Sequence, residues 1–228
     1  MAKTNFNVLG NQRGKVGNVV GYMRKGKQYY RGYTDHVAES KSEDLMLAKM
    51  RFAALGKLAI QFRGAVKRGY QKLLASSTMS ACNLFVKKNY TTVSAADINT
   101  PPTVDYGGIV IAEGTLPPVS FGAINVEEEA TVEVPFGTES STYPGATEND
   151  QVYIFVYQPD TQMGIMSLPA SRSAGSIVAE VPAIWSGMKV YVYGFVANPT
   201  EHWDENLLST IAKGEASNST FIGQATIA

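Results

Sequence analysis

The sequence predicts an α+β protein, with an N-terminal β-hairpin arm and helices followed by an all-β immunoglobulin-like sandwich. Three observations carry that expectation. Alternating residues punctuated by glycine open the chain, and an apolar stripe at helical spacing follows. Short β-branched and aromatic runs separated by turn residues fill the rest. The 228 residues are enough for one large or two small domains with a real core. A hydrophobic fraction of 44% and a charged fraction of 18% exclude a disordered chain.

Residues 1–15 read as extended, with Gly10 and Gly14 as breakers. Val16, Asn18, Val20 and Tyr22 then alternate with Gly17, Val19, Gly21 and Met23. This predicts a strand with Gly17 and Gly21 on one face, where another backbone or a ligand can come close. Arg24-Lys25-Gly26-Lys27 predicts a turn in which Gly26 takes positive φ, and Gln28-Tyr29-Tyr30-Arg31-Gly32-Tyr33 the returning strand. A lone hairpin is marginal in water, so this one is expected to dock on something.

Ser40 followed by Glu43 has the capping-box spacing of a helix start. Leu45, Ala48, Phe52, Leu55, Ala59, Phe62 and Val66 continue as one apolar stripe in steps of three and four. Gly56, Gly64 and Gly69 each weaken a helix by about 1 kcal/mol relative to Ala, which predicts a break near Gly64 or Gly69. A second helix is expected over Ser80 to Tyr90, burying Ala81, Leu84 and Phe85. Pro101-Pro102 cannot sit in a helix or a central strand and suggests a boundary between residues 1–98 and 99–228. Candidate strands follow at Gly108–Ala112, Val119–Val126, Ala130–Val134, Val152–Tyr157, Gly164–Leu168, Ser176–Val181, Lys189–Val196 and Ser219–Thr226. Seven or eight short strands over about 120 residues fit a sandwich without the paired cysteines of an antibody-type domain.

A net charge of zero hides an asymmetry. Residues 1–90 hold 17 basic and 4 acidic residues, a balance of +13, and residues 91–228 hold 3 and 16, a balance of −13. A basic segment of this kind meets phosphates or an acidic surface, and the acidic surface of another copy is one candidate. Cys82 is the only cysteine, which excludes an intramolecular disulfide and a cysteine-based metal site within one chain. The first residues lack the apolar run of a signal peptide, and no stretch has the roughly 18 apolar residues of a membrane helix. The expectation is cytoplasmic synthesis, no membrane partner, and incorporation into a virion or other particle as one destination.

Catalytic and metal chemistry find little support. His36 and His202 sit among polar residues in expected loops and read as exposed histidines. Cys82 reads as a small core residue. Gly10-Asn11-Gln12-Arg13-Gly14-Lys15 has three residues between its glycines where a phosphate loop needs four, and Val16 stands where Ser or Thr would hold magnesium. Glu127-Glu128-Glu129 reads as a solvated turn rather than a calcium site. Trp185 and Trp203 are either exposed binding aromatics or, by preference, core residues. No enzyme activity, no cofactor and no small-molecule substrate are expected. The basic arm is what carries functional content. Lys3, Arg13, Lys15, Arg24, Lys25, Lys27 and Arg31 interleave with Tyr22, Tyr29, Tyr30 and Tyr33, and cations contact phosphates while aromatic faces stack on bases. The same residues also suit a strand packed on a neighbouring subunit.

Arg13-Gly14-Lys15-Val16-Gly17-Asn18-Val19-Val20-Gly21-Tyr22, the basic turn, and Ala48, Arg51 and Phe52 resemble an uncharacterised family of Bacteroidota proteins. Ser80-Ala81-Cys82-Asn83-Leu84-Phe85 with Asn89 fits the same pattern, as does the ending Asn218-Ser219-Thr220-Phe221-Ile222-Gly223. The resemblance implies a bacterial or bacteriophage setting and supplies no activity. The leading expectation is a structural, self-assembling protein whose arm contacts other subunits, making it a homo-oligomer. The alternatives are a nucleic-acid-associated protein using its basic half and a β-sandwich adapter for protein or carbohydrate.

Overall fold

In a computed structural model of the chain, which describes residues 2–4, 12–24, 26–35, 42–126, 130–138, 145–148, 150–198 and 215–228, the N-terminus forms a sheet larger than a hairpin. Its strands are β1 (Ala2–Thr4), β2 (Gly14–Val16), β3 (Val19–Arg24) and β4 (Lys27–Gly32), in the antiparallel order β1-β4-β3-β2. The expected turn at Arg24-Lys25-Gly26-Lys27 joins β3 to β4, with Gly26 at φ +72°. The single strand expected over Val16–Met23 is instead two. Gly17, at φ +58°, takes the left-handed conformation that reverses the chain into β3. Gly17 thus serves a turn, and only Gly21 serves close packing, since a Cβ there would lie 2.9 Å from the Gln12 carbonyl oxygen.

The helices follow as α1 (Glu43–Gln61), α2 (Arg63–Gly69), α3 (Gln71–Ser76) and α4 (Ala81–Lys88). Ser40 lies outside the described residues. The breaks fall at Phe62 and Tyr70, on either side of the glycine-containing α2. Gly69 permits a tight approach, because a Cβ on it would meet the Ile111 carbonyl oxygen at 2.3 Å. Ser80 caps α4 by accepting from the Asn83 amide at 3.2 Å. The expected apolar stripe is buried only in its second half. Leu55, Ala59, Phe62 and Val66 are in the core, whereas Leu45 and Phe52 are exposed.

A short pair, β5 (Val93–Ser94) and β6 (Thr103–Val104), precedes the sandwich. The sandwich uses β7 (Thr131–Pro135), β8 (Gln151–Gln158), β9 (Met163–Met166), β10 (Ala170–Ser171), β11 (Ser176–Glu180), β12 (Lys189–Ala197) and β13 (Thr220–Thr226). One antiparallel sheet has the order β10-β8-β12-β13 with β9 also on β8, and β11 pairs with β7 in a second. The expected strands at Gly108–Ala112 and Val119–Val126 are not strands. The first is held by other partners: Asn89, fully buried, donates to the Val110 carbonyl at 2.9 Å and accepts the Val110 amide at 2.7 Å. The second meets β7 only at isolated bridges, Phe121 with Phe136 and Asn125 with Glu133.

The larger sheet is buried on both faces. Tyr153, Phe155, Tyr157, Tyr193 and Phe195 pack toward the helices with Phe62, Phe85 and Val66. Val152, Ile154, Val156, Val190, Val192 and Val196 pack toward Val132, Val134, Ile177, Ala179 and Trp185. Helices, sheet and second sheet therefore share two cores. For this reason contacts divide the chain between Ser42 and Glu43, not at the 98/99 boundary the prolines suggest. A prolyl pair can end a segment without ending a domain.

Candidate functional site

Register fixes which side chains of the N-terminal sheet share a face, because opposed residues point the same way and alternate along each strand. Val20 lies between Lys15 and Arg31, Tyr22 opposes Tyr29, and Arg24 opposes Lys27. These rows are two residues apart on β3 and so fall on one face. A cationic row, an aromatic row and a second cationic row succeed one another at about 7 Å intervals. The opposite face receives Val16, Val19, Gly21, Met23, Gln28 and Tyr30.

On the cationic face the Tyr22 and Tyr29 rings stack, with centroids 5.6 Å apart and planes at 17°. Both rings are half-buried, while Lys15, Arg24, Lys27 and Arg31 are exposed. The Lys15 Nζ lies 3.4 Å from the centroid of the Tyr33 ring, a cation–π contact of about 0.5–1 kcal/mol at an exposed site. Among the described residues none of these four cations forms an ion pair. Arg24 and Lys27 oppose each other directly, and like charges so placed repel. Asp35 is the only acidic residue in the first 35.

Six of the nine residues singled out from sequence thus share one face: Lys15, Tyr22, Arg24, Lys27, Tyr29 and Arg31. Tyr30 turns to the other face, where its hydroxyl donates to Gln12 Oε1 at 3.5 Å. Arg13 is exposed just ahead of β2, and Lys25 lies outside the described residues. Sequence reasoning missed Gln12 and Gln28. Gln28 is buried and its Nε2 donates to the Gln12 carbonyl at 2.7 Å, which holds the segment before β2 across Gly21. Gln28 lies between cationic and aromatic residues, and only the register reveals that it points inward.

From Glu43 onward, part of the charge asymmetry is met inside the chain. Lys88 pairs with Glu113 at 2.6 Å, and Lys72 pairs with Glu215, which also accepts from the Thr115 hydroxyl at 2.6 Å. The bonds from Lys72 and Thr115 hold the Glu215 carboxyl below its ordinary value. Arg172 and Asp150 form a fully buried ion pair at 2.9 Å. Arg172 also donates to the Pro117 carbonyl at 2.5 Å, and the Thr147 amide and hydroxyl donate to Asp150 at 3.0 and 2.8 Å. Burial raises the phenols of Tyr70, Tyr106, Tyr153 and Tyr193, and pushes Tyr157 up to about 12. Trp185 is in the core. Cys82 is half-buried, its Sγ donating to the Ala59 carbonyl at 3.6 Å. His36, His202, Trp203 and Glu127–Glu129 lie outside the described residues. Among the described residues no three of His, Cys, Asp and Glu gather as a metal site would require, and no helix is long and apolar enough to cross a membrane.

A family model described as "Family of unknown function (DUF6266)" matches residues 11–204. No curated protein matches the chain. Among solved structures, the fn3 domain of human collagen alpha-1(XX) chain is similar at 14% identity and a TM-score of 0.29. The similarity covers 51% of this chain and 84% of that one. The sandwich described above rests on the chain's own strand pairing.

Proposed function

We propose, for a chain that belongs to this family of unknown function, that it is a non-enzymatic assembly protein whose N-terminal sheet is the arm that contacts other subunits. The observation that carries this reading is the poverty of that sheet's interior. Among its described residues only Gly21 and Gln28 are buried, and among the described residues of the chain every buried apolar side chain lies at Leu55 or beyond. A sheet whose described residues bury so little apolar surface is marginal in water and gains stability by covering a face with a partner. Val16 and Val19, 64% and 42% exposed, offer apolar surface on the face away from the cations. The Bacteroidota or bacteriophage setting implied by the opening motif, and a place in a virion or other particle, suit such an arm.

Removing residues 1–35 tests the proposal. The remaining chain keeps both cores and is expected to melt as a folded monomer, while the full-length protein forms a larger species by light scattering. A truncated protein of the same oligomeric mass as the full chain would overturn the reading.

A further inference from the structure

We propose that the cationic face of the N-terminal sheet binds single-stranded nucleic acid, with Tyr22 and Tyr29 as the stacking platform and Lys15, Arg24, Lys27 and Arg31 as phosphate contacts. Three features of the face favour this occupant. The cations are sorted onto one face by register while Tyr30, Val19 and Met23 go to the other, so the charge is presented rather than scattered. The aromatic row lies between two cationic rows, which brackets a stacked base with phosphate contacts on both sides. The rings are half-buried and nearly parallel, so they form a fixed pair instead of mobile side chains. No residue here is arranged to read base edges in a duplex groove, so binding is expected to be indifferent to sequence and sensitive to salt.

This inference is separate from the assembly reading, because it uses the opposite face and a different measurement. The nuclease-treated full-length protein would be titrated into a fluorescent oligothymidylate of about 20 nucleotides and followed by anisotropy, with solution mass recorded in parallel. Four contacts at about 0.7 in the salt slope each give about a 50-fold loss of affinity between about 50 and about 200 mM salt. Replacing Arg24→Gln and Lys27→Gln together lowers the slope by about 1.4. These variants relieve a like-charge pair beside a turn, so they keep the sheet folded. Tyr22→Ala or Tyr29→Ala lowers affinity about 10-fold or more with the slope unchanged, and Tyr→Phe at either site restores it. Absence of binding at about 50 mM salt, or variants that bind as the parent does, would overturn the proposal. So would equal weakening of heparin binding by the tyrosine variants, which would mark a general anion surface. A change in solution mass without a change in oligonucleotide affinity would assign the face to the acidic surface of a second copy and equally overturn it.

Discussion

β3 and β8 are both inner strands of antiparallel sheets, yet they are built to opposite ends. β3 buries one residue of six, Gly21, and spends its alternation on sorting cations and tyrosines from valines and methionine. β8 buries seven of eight and spends its alternation on sending aromatics to one core and aliphatics to another. The larger sheet is stabilised from within, whereas the N-terminal sheet displays its side chains. Backbone pairing is common to both, so pairing alone does not decide which part of the chain is self-sufficient.

The largest expected effect that sharpens this comparison is alkaline unfolding. The phenols of Tyr70, Tyr106, Tyr153, Tyr157 and Tyr193 are all raised above their ordinary 10 by burial, and none of them belongs to the N-terminal sheet. Below pH 10 folded and unfolded chains hold the same phenolic protons. Above it the unfolded chain releases them first, so stability falls as pH rises from 10 toward the folded values. Tyrosinate absorbance should therefore rise in step with loss of circular dichroism for these five. Smooth titration of every tyrosine while the fold persists would break the contrast.

Next comes Phe62→Ala. Phe62 lies 4.6 Å from Phe155, 4.9 Å from Tyr157 and 5.4 Å from Phe85 by ring centroids, which makes it the junction of helices and sheet. Its loss is expected to cost about 3–5 kcal/mol in denaturant unfolding. A loss below about 1 kcal/mol would mean that the helices are not part of that core. Arg172→Met is expected to cost about 3 kcal/mol, because among the described residues it leaves Asp150 buried with the Thr147 donors alone to its carboxylate. Little change there would show that water reaches Asp150 in solution.

Much of this was legible in the sequence. The hairpin turn, the helix breaks around α2, the helix beginning at Ser80 and six of the eight expected strands were read from turn residues and periodicity. What was not legible came from partners distant in sequence. Val110 takes its hydrogen bonds from Asn89 instead of a strand, and nothing local to Gly108–Ala112 signals that. The runs Val152–Tyr157 and Val190–Val196 alternate aromatic with aliphatic, both apolar, which is the signature of a strand covered on two faces. That pattern would have joined the helices to the sandwich and moved the boundary from 98/99 to Ser42/Glu43. At the candidate face, composition picked out the cations and tyrosines. Strand alternation already separates Tyr30 from Tyr29, and the register with β3 shows which of the two shares the face of Tyr22, Arg24 and Lys27.

Amide hydrogen exchange on the full-length protein, dilute and then concentrated, tests the central claim most directly. The account predicts that β8 and β12 amides are protected to the limit of global unfolding under both conditions. It predicts that β2, β3 and β4 amides exchange orders of magnitude faster when dilute and become protected as the protein assembles. Dilute monomer in which β3 is as protected as β8 would contradict it, since the N-terminal sheet would then need no partner.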